Sequence, residues 1–406
     1  MSPPQSTDAA RRVAAGVTRL LADFVPDEKS PLETEVEQAI YLARQLQVRA
    51  NALQTPAERR QQAELDRMIQ SPGDKETLMQ LTDQAFRSRL PHRAADQLIH
   101  ILDVQGVPRF FSALDRTLLK GFQSFGSYLP GVAMPLVKEK MQQETANVIL
   151  PAEEEHLRAY LRQRWQEGVR MNVNYLGEAL LGEREAQRRL KSYLQVLGRP
   201  EIEVISVKIS TIYSQISALA REHTILILCD RMELLYRAAA KNHFEQLDGK
   251  RLTKFVYLDM EEYRDKEITA DVFMRTLDRP GLEQIRAGIA LQAYIPDSLP
   301  TQQRITAWAR QRVAAGGAPV TIRLVKGANM EMERVEASLR GWPQAPYQEK
   351  VETDANYKRM LRYGMQAENL AAVQLGIASH NLFSLAYGLV LAVQGDSLGQ
   401  VQFERV

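Results

Sequence analysis

The sequence predicts an α/β protein in which an all-helical N-terminal domain precedes a barrel of parallel strands. Residues 1 to about 150 show helical periodicity and no strand pattern, whereas residues 151–406 alternate short apolar runs with amphipathic segments. Strands that alternate with helices form parallel sheets through right-handed crossovers. We therefore predict a helical domain over residues 1–150 and a barrel over residues 151–406.

Seven runs in the second region have the apolar or alternating character of β-strands. They lie roughly thirty to fifty residues apart, which is typical of a TIM barrel with long loops. In chain order they are residues 169–176, 202–209, 255–258, 288–294, 320–325, 372–378 and 401–403. A closed barrel of this type has eight strands. Either the barrel is open or the sequence is truncated before an eighth strand, and we favour truncation.

The helices follow from periodicity and from the positions of Pro and Gly. In the first region we predict helices at residues 32–53, 56–68, 75–88, 108–119 and 136–149, separated by turns at 71–74 and 128–131. In the second region we predict them at residues 151–167, 183–197, 216–241, 270–277, 301–315, 353–368 and 382–392, with one more opening near Glu331.

Composition narrows the function classes. The net charge of +2 is too small to indicate a nucleic-acid partner. Cys229 is the only cysteine and lies in an apolar run, so we predict a buried, inert thiol and a reducing cytosol. The N-terminus has no apolar signal core, and the apolar run at residues 382–393 is too short to span a bilayer. The six histidines show no metal-ligand spacing, so we predict no metal.

Residues 320–332, with the sequence VTIRLVKGANMEM, carry the first indication of a site. Arg323 lies inside an apolar strand and Lys326 directly follows it. A cation near the end of a buried strand costs desolvation free energy unless an anion meets it or it reaches solvent. Gly327 and Ala328 then leave room for a flat ligand to approach the backbone.

Polar side chains follow most of the predicted strands. They are Asn174, Glu178, Lys208, Asp259, Gln292, Arg323, Lys326, Ser379 and His380. The active site of a TIM barrel lies at the carboxyl ends of its strands, so we expect these groups to converge on one binding site. Lys208 could instead pair structurally with Asp259 or Glu178. No nucleophile and base are evident together, which points to a cofactor that carries the reaction.

Seven motifs identify a family resemblance. They are LGEALLGE at 176–183, SVKIS at 206–210, LDMEE at 258–262, LQAY at 291–294, RLVKGA at 323–328, KVETD at 350–354 and ASHN at 378–381. With these motifs the chain resembles the proline dehydrogenase half of bacterial proline utilization A flavoenzymes. The resemblance implies a distorted TIM barrel that holds FAD and oxidises L-proline to 1-pyrroline-5-carboxylate by hydride transfer to flavin N5. It also implies that membrane quinone accepts the electrons.

The resemblance also implies roles for individual residues. Arg323 would reach flavin N5 and Gln292 would contact the isoalloxazine ring. Lys208 would pair with the proline carboxylate, Asp259 would lie between flavin and substrate, and Glu178 would form the acidic half of a gate. The remaining cofactor contacts would be Val325, Lys326, Gly327, Ala328, Ser379 and His380, and Ala328 would also line the substrate pocket.

The chain departs from the family pattern at several places. Asn329 and Met330 stand where many relatives have aromatic residues, and Ser379 stands where threonine is common. The family's eighth strand and last helix, with their substrate-binding tyrosine and arginine residues, are expected beyond Val406. An aldehyde dehydrogenase domain is expected C-terminal to them in a full-length relative. The resemblance implies a cytoplasmic protein that can associate peripherally with the inner membrane.

Two other functions remain open from the sequence. A lysine in a barrel strand is also how Schiff-base aldolases place their nucleophile, and Lys208 could serve there with Glu178 and Asp259 as acid and base. The chain could also be an inactive fragment or a binding module, because part of the expected carboxylate site is missing.

Overall fold

The computed structural model describes residues 7–56, 90–107, 113–125, 154–174, 182–246 and 249–404, together with residues 58, 59, 62, 63, 66, 77 and 131. The chain packs as two compact units. One unit comprises Met1–Val48 and Leu161–Val406, and the other comprises Arg49–Tyr160. The domain boundary near residue 150 stays a prediction.

The helices of the described residues are named here in chain order. They are α1 (Thr7–Leu20), α2 (Thr34–Leu53), α3 (Pro91–Gln105), α4 (Ala113–Phe125), α5 (Glu154–Gln166), α6 (Glu183–Leu197), α7 (Ile209–Ile212), α8 (Arg221–Lys241), α9 (Lys266–Leu277), α10 (Ser298–Ala314), α11 (Met330–Arg340), α12 (Lys350–Gly364), α13 (Ala367–Leu370) and α14 (Leu382–Gln394). The helices predicted at 56–68, 75–88 and 136–149 lie wholly or mainly outside the described residues.

In the second unit, α3 and α4 pack against each other. Leu98, Ile101 and Leu102 of α3 are buried, as are Leu119 and Phe122 of α4. Spacings of three and four residues place each set on one face of its helix, so the two apolar faces bury each other. The sequence predicted a helical region here, but it gave no helix at residues 91–105, and the helix predicted at 108–119 ends later, at Phe125.

Seven parallel strands form one sheet in the first unit. They are β1 (Asn172–Asn174), β2 (Val204–Lys208), β5 (Phe255–Asp259), β6 (Gly288–Gln292), β7 (Val320–Val325), β8 (Val373–Ala378) and β9 (Val401–Glu404), and they lie in this order across the sheet. Each predicted strand is present, and the prediction of a distorted TIM barrel is confirmed for the strands that the chain supplies. Each strand pairs with the next sheet strand along the chain because a helical connection returns the chain in the same direction.

A small antiparallel pair, β3 (His243–Glu245) and β4 (Arg251–Thr253), was not predicted. Its strands have three residues each and are mostly exposed, so they carry no apolar alternation that a sequence pattern could reveal. Phe244 supplies its single buried side chain and packs edge-on against Trp165, with ring centroids 5.1 Å apart.

Several predicted helices have different bounds in the structure, including those predicted at 270–277 and 301–315, which begin at Lys266 and Ser298. The helix predicted from residue 216 begins at Arg221, because Ser217 Oγ accepts a hydrogen bond from the Ala220 amide and holds a turn there. The helix predicted over 353–368 is two helices, α12 and α13, which are separated at Met365 and Gln366.

The first helices pack with the last ones inside the same unit. Helix α1 contacts α14. Glu33, directly before α2, forms an ion pair with Arg362 of α12 at 2.5 Å. Gln394 Nε2 donates a hydrogen bond to Gln38 Oε1 at 3.0 Å. The start and the end of this unit are therefore joined by both apolar and polar contacts.

The prediction of a buried thiol at Cys229 is confirmed, since it is 2% exposed on α8. Burial raises its pKa above the ordinary value of 9.0, so the thiol stays protonated and unreactive. Within the described ranges, no helix has the length and apolarity needed to cross a membrane.

Candidate active site

Strand register brings the predicted site residues to one edge of the sheet. Lys208 on β2 lies opposite Asp259 on β5. Arg323 on β7 lies between Ala290 of β6 and Gly376 of β8 in the register. Residues in register on neighbouring strands point to the same face of a sheet, and the contact between Arg323 and Asp259 confirms that these polar side chains share one face.

Arg323 and Asp259 form the central ion pair of this edge. Arg323 Nη2 donates a hydrogen bond to Asp259 Oδ1 at 2.7 Å, and both side chains are largely buried. Burial raises the pKa of Asp259 above its ordinary value of 3.8, although Arg323 acts in the opposite direction. Arg323 Nε is buried and has no hydrogen-bond partner within the described part of the chain. This site therefore combines a held carboxylate with a donor that remains available to an acceptor.

Lys208 pairs with a residue that the sequence reasoning did not single out. Its Nζ forms an ion pair with Glu261, which follows β5. Ser210 Oγ donates a second hydrogen bond to Glu261 at 2.8 Å. Among the described residues, Lys208 pairs with Glu261 and forms no ion pair with Asp259. The alternative pairing with Glu178 stays a prediction, because Glu178 lies outside those residues. Glu261 lies inside the LDMEE motif, so the motif held the signal that would have identified it.

Gln292 is buried at the end of β6, and its Nε2 donates to the Met260 carbonyl at 2.8 Å. This bond ties β6 to the segment that follows β5, next to Asp259. The side chain of Gln292 is therefore fixed in direction before any ligand is bound.

Two features of the structure require glycine at position 327, namely its backbone conformation and the neighbouring Tyr294 ring. Its φ is +128°, and a Cβ atom there would lie 2.4 Å from Tyr294 Cδ1. The Tyr294 amide donates to the Lys326 carbonyl at 2.8 Å, which holds the two loops together. The prediction that Gly327 leaves room for a ligand stays a prediction, because in the structure the glycine makes room for Tyr294.

Lys326 pairs with a carboxylate outside the Arg323–Asp259 ion pair. Its Nζ lies 2.5 Å from Asp354 Oδ1, and Lys350 Nζ lies 3.2 Å from Asp354 Oδ2. Burial alone would raise the pKa of Asp354, but hydrogen bonds from both lysines lower it below 3.8. Asp354 of the KVETD motif therefore neutralises part of the positive charge of Lys326, the side chain that was predicted to meet a cofactor phosphate.

The two residues after β8 differ in burial. Ser379 is buried, and its Oγ accepts a hydrogen bond from the Asn381 amide at 3.0 Å. Asn381 in turn caps α14 by accepting a hydrogen bond from the Ser384 amide. His380 is exposed, as are Gly327 and Ala328. These three residues are therefore accessible to solvent, and their predicted contact with a cofactor stays a prediction.

The structure brings Lys208, Asp259, Gln292 and Arg323 together, whereas Lys326 pairs with Asp354 outside this cluster. Glu178 lies outside the described residues. Asn329 Nδ2 donates to the Glu261 carbonyl at 3.4 Å. Besides Glu261, the sequence reasoning missed Tyr257 and Glu404, which both contact the central cluster. Glu404 is the last residue of β9, so the same strand-end rule would have found it one residue beyond the predicted strand.

Comparisons with known proteins match mainly the barrel region of this chain. A model of the family described as Proline dehydrogenase matches residues 157–406. The "Bifunctional protein PutA" of Klebsiella aerogenes and that of Escherichia coli strain K12 are each 27% identical over 261 residues. That match covers 61% of this chain and 18% of each relative, so the chain spans less than a fifth of their length.

Solved structures give a consistent result. Proline utilization A from Corynebacterium freiburgense is 38% identical, with a TM-score of 0.61, over 67% of this chain and 27% of that one. Proline utilization A from Bdellovibrio bacteriovorus has a TM-score of 0.68 over 92% of this chain and 37% of that one. The second protein is 23% identical, so it supports the fold alone.

Proposed function

The chain belongs to the proline dehydrogenase family, and from this premise we propose that it oxidises L-proline to 1-pyrroline-5-carboxylate with the help of a bound flavin. The observation that carries the proposal is the buried Arg323–Asp259 ion pair at the strand ends, with Lys208 and Gln292 beside it. A cation, a carboxylate and an amide held in fixed directions suit a small zwitterion and an electron-accepting ring.

The residues present fit a flavin. Arg323 offers a buried Nε–H without a partner among the described residues, and Gln292 is fixed in place by its bond to Met260. We propose that Arg323 and Gln292 hold the ring, and that the cofactor is FAD, with its tail along Val325, Lys326, Gly327, Ala328, Ser379 and His380. Because Asp354 already neutralises much of the charge on Lys326, the tail phosphates would share this cation with Asp354.

A flavin supplies a hydride acceptor for the carbon next to the proline nitrogen. The chain's own residues position the substrate and match its charges. Lys208 would bind the proline carboxylate, which requires that carboxylate to compete with Glu261 for the lysine. Asp259 holds Arg323 in place, and Ala328 borders the pocket.

The electron acceptor and the cellular setting are also proposals. We propose that quinone reoxidises the flavin, and that the protein is cytoplasmic with peripheral contact to the inner membrane. The curated relatives are named bifunctional and are longer than this chain. A C-terminal aldehyde dehydrogenase domain, which would consume the product, is therefore proposed for a full-length form.

The test is an anaerobic titration of the purified 406-residue chain after loading with FAD. We expect L-proline to bleach the flavin absorbance only slowly, because the tyrosine and arginine residues that the resemblance implies for the carboxylate are not among these 406 residues. Tetrahydrofuroic acid should slow the bleaching further by competing for Lys208. The variant Arg304→Met, on the outer surface, serves as a control that should behave like the parent chain.

Bound FAD that L-proline fails to reduce would contradict proline oxidation by this chain and favour a binding module. Borohydride-dependent labelling of Lys208 with a carbonyl substrate would favour the Schiff-base aldolase instead. The ion pair between Lys208 and Glu261 speaks against that alternative, because an ammonium group held by a carboxylate is a poor nucleophile.

A further inference from the structure

Glu404, at the end of β9, reaches the central cluster from the far side of Arg323. Register places it opposite Ala378 of β8. Its Oε1 accepts a hydrogen bond from Tyr257 Oη at 3.1 Å, and its Oε2 lies 3.8 Å from Arg323 Nη1. Neither Glu404 nor Tyr257 has a role in the function proposed above.

Three groups thus fix the Arg323 guanidinium. Asp259 binds one of its terminal nitrogens, and Glu404 lies within ion-pair distance of the other. The Tyr257 ring lies beneath it, with Arg323 Cζ 4.9 Å from the ring centroid. Ring, hydroxyl and two carboxylates therefore form one connected arrangement around a single cation.

The neighbouring strand makes room for this arrangement. A Cβ atom on Gly376 would lie 2.6 Å from Glu404 Oε1 and 3.3 Å from Arg323 Cα. Any larger residue at position 376 would push Glu404 away from Arg323. The glycine on β8 and the glutamate on β9 are therefore sterically coupled.

We propose, building on the proposed function, that Glu404 is a positioning residue that holds Arg323 against Asp259 and sets the net charge beside the reacting centre. With both carboxylates ionised, the cluster of Arg323, Asp259 and Glu404 carries a net charge of −1. With one of them protonated it is neutral. The protonation of this cluster therefore controls how strongly its electrostatic field favours electron uptake by a neighbouring acceptor.

The groups around Glu404 favour its protonated form more than solvent would. Burial raises the pKa of Glu404 above its ordinary value of 4.5, although Arg323 and the Tyr257 hydroxyl act in the opposite direction. Asp259 on β5 and Arg170 before β1 also act on it, the first raising and the second lowering its pKa. Two raised carboxylates around one cation titrate as a coupled pair.

The first test measures the flavin midpoint potential of the FAD-loaded 406-residue chain from pH 5 to pH 9. Glu404→Gln removes the ionisable group, so its potential should lie above that of the parent chain at high pH and converge with it at low pH. Tyr257→Phe removes the hydrogen bond that favours the ionised carboxylate, so the titration should move to higher pH. Glu233→Gln, which removes a similarly buried glutamate paired with Arg279, is the matched control and should follow the parent chain.

A second readout needs no cofactor. A folded-state pKa above 4.5 stabilises the fold below pH 4.5 and loses that contribution as pH rises through the folded-state pKa. The Tm of the flavin-free parent chain should therefore fall relative to Glu404→Gln as pH rises above 4.5. Coincident potentials and coincident Tm profiles for Glu404→Gln and the parent would overturn the inference while leaving proline oxidation intact. A chain that holds no FAD would instead overturn the proposed function, and the Tm profiles alone would then decide the role of Glu404.

Discussion

Replacing Arg323 by Met should destabilise the fold in a strongly pH-dependent way. The substitution leaves Asp259 and Glu404 facing each other without their cation. Breaking a buried ion pair by removing one partner costs about 3–5 kcal/mol. In a unit of this size each kcal/mol lowers Tm by roughly 2–4 °C, so we expect a loss of roughly 6–20 °C at pH 8.

The Tm loss of Arg323→Met should become smaller in acid. The pKa values of Asp259 and Glu404 are raised by burial even with Arg323 present. Without the cation both would rise further, so the folded variant would bind protons more tightly than the unfolded chain. Its Tm deficit should therefore shrink as the pH is lowered from 8 to 5.

The assay is thermal unfolding followed by far-UV circular dichroism at pH 5, 6, 7 and 8. Arg304→Met is the matched control, because Arg304 also contacts two carboxylates but is 41% exposed. Its buried partner Asp271 keeps a second cation, Arg221, and the exposed pair with Glu267 contributes about 0–1 kcal/mol, so the Tm should change little at any pH. Equal and pH-independent losses for the two variants would refute the view that Arg323 offsets two buried carboxylates.

Three further predictions concern Gly327, Lys208 and Cys229. Gly327→Ala should lower Tm by several degrees in calorimetry, since a positive φ and a Cβ 2.4 Å from the Tyr294 ring each cost roughly 1–3 kcal/mol; an unchanged Tm would contradict the backbone argument. Lys208→Met should raise the Michaelis constant for L-proline in steady-state kinetics, whereas a change confined to kcat would contradict a carboxylate-binding role. Cys229 should react with a thiol reagent only in denaturant, and labelling of the native chain would show that α8 is less tightly packed than described.

Most of the sheet could be predicted from sequence because its inner strands, β2 and β5 to β8, are buried on both faces. Residues 320–325 and 373–378 are almost continuously buried and mostly apolar, and this pattern marks a parallel strand without knowledge of its neighbours. The β3–β4 pair could not be predicted in this way, because only Phe244 in it is buried. Buried strands could therefore be predicted from their apolar residues, and the mostly exposed β3–β4 pair could not.

The site could be predicted only in part, because a strand-end rule locates residues but not their partners. It identified Arg323 and Asp259, whose pairing then followed from register. It did not reveal that Lys208 pairs with Glu261, since that contact depends on the path of the chain beyond β5. It also stopped one residue short of Glu404, because strand ends are the least certain part of a sequence-based prediction.

The contact between the first and last helices of the barrel unit has a consequence for synthesis on the ribosome. Glu33 and Arg362 are 329 residues apart in the chain. At a translation rate of about 5–20 residues per second, roughly 16–65 s pass between their emergence. Throughout that interval α14 has not yet been made, so α1 emerges long before the helix that it packs against.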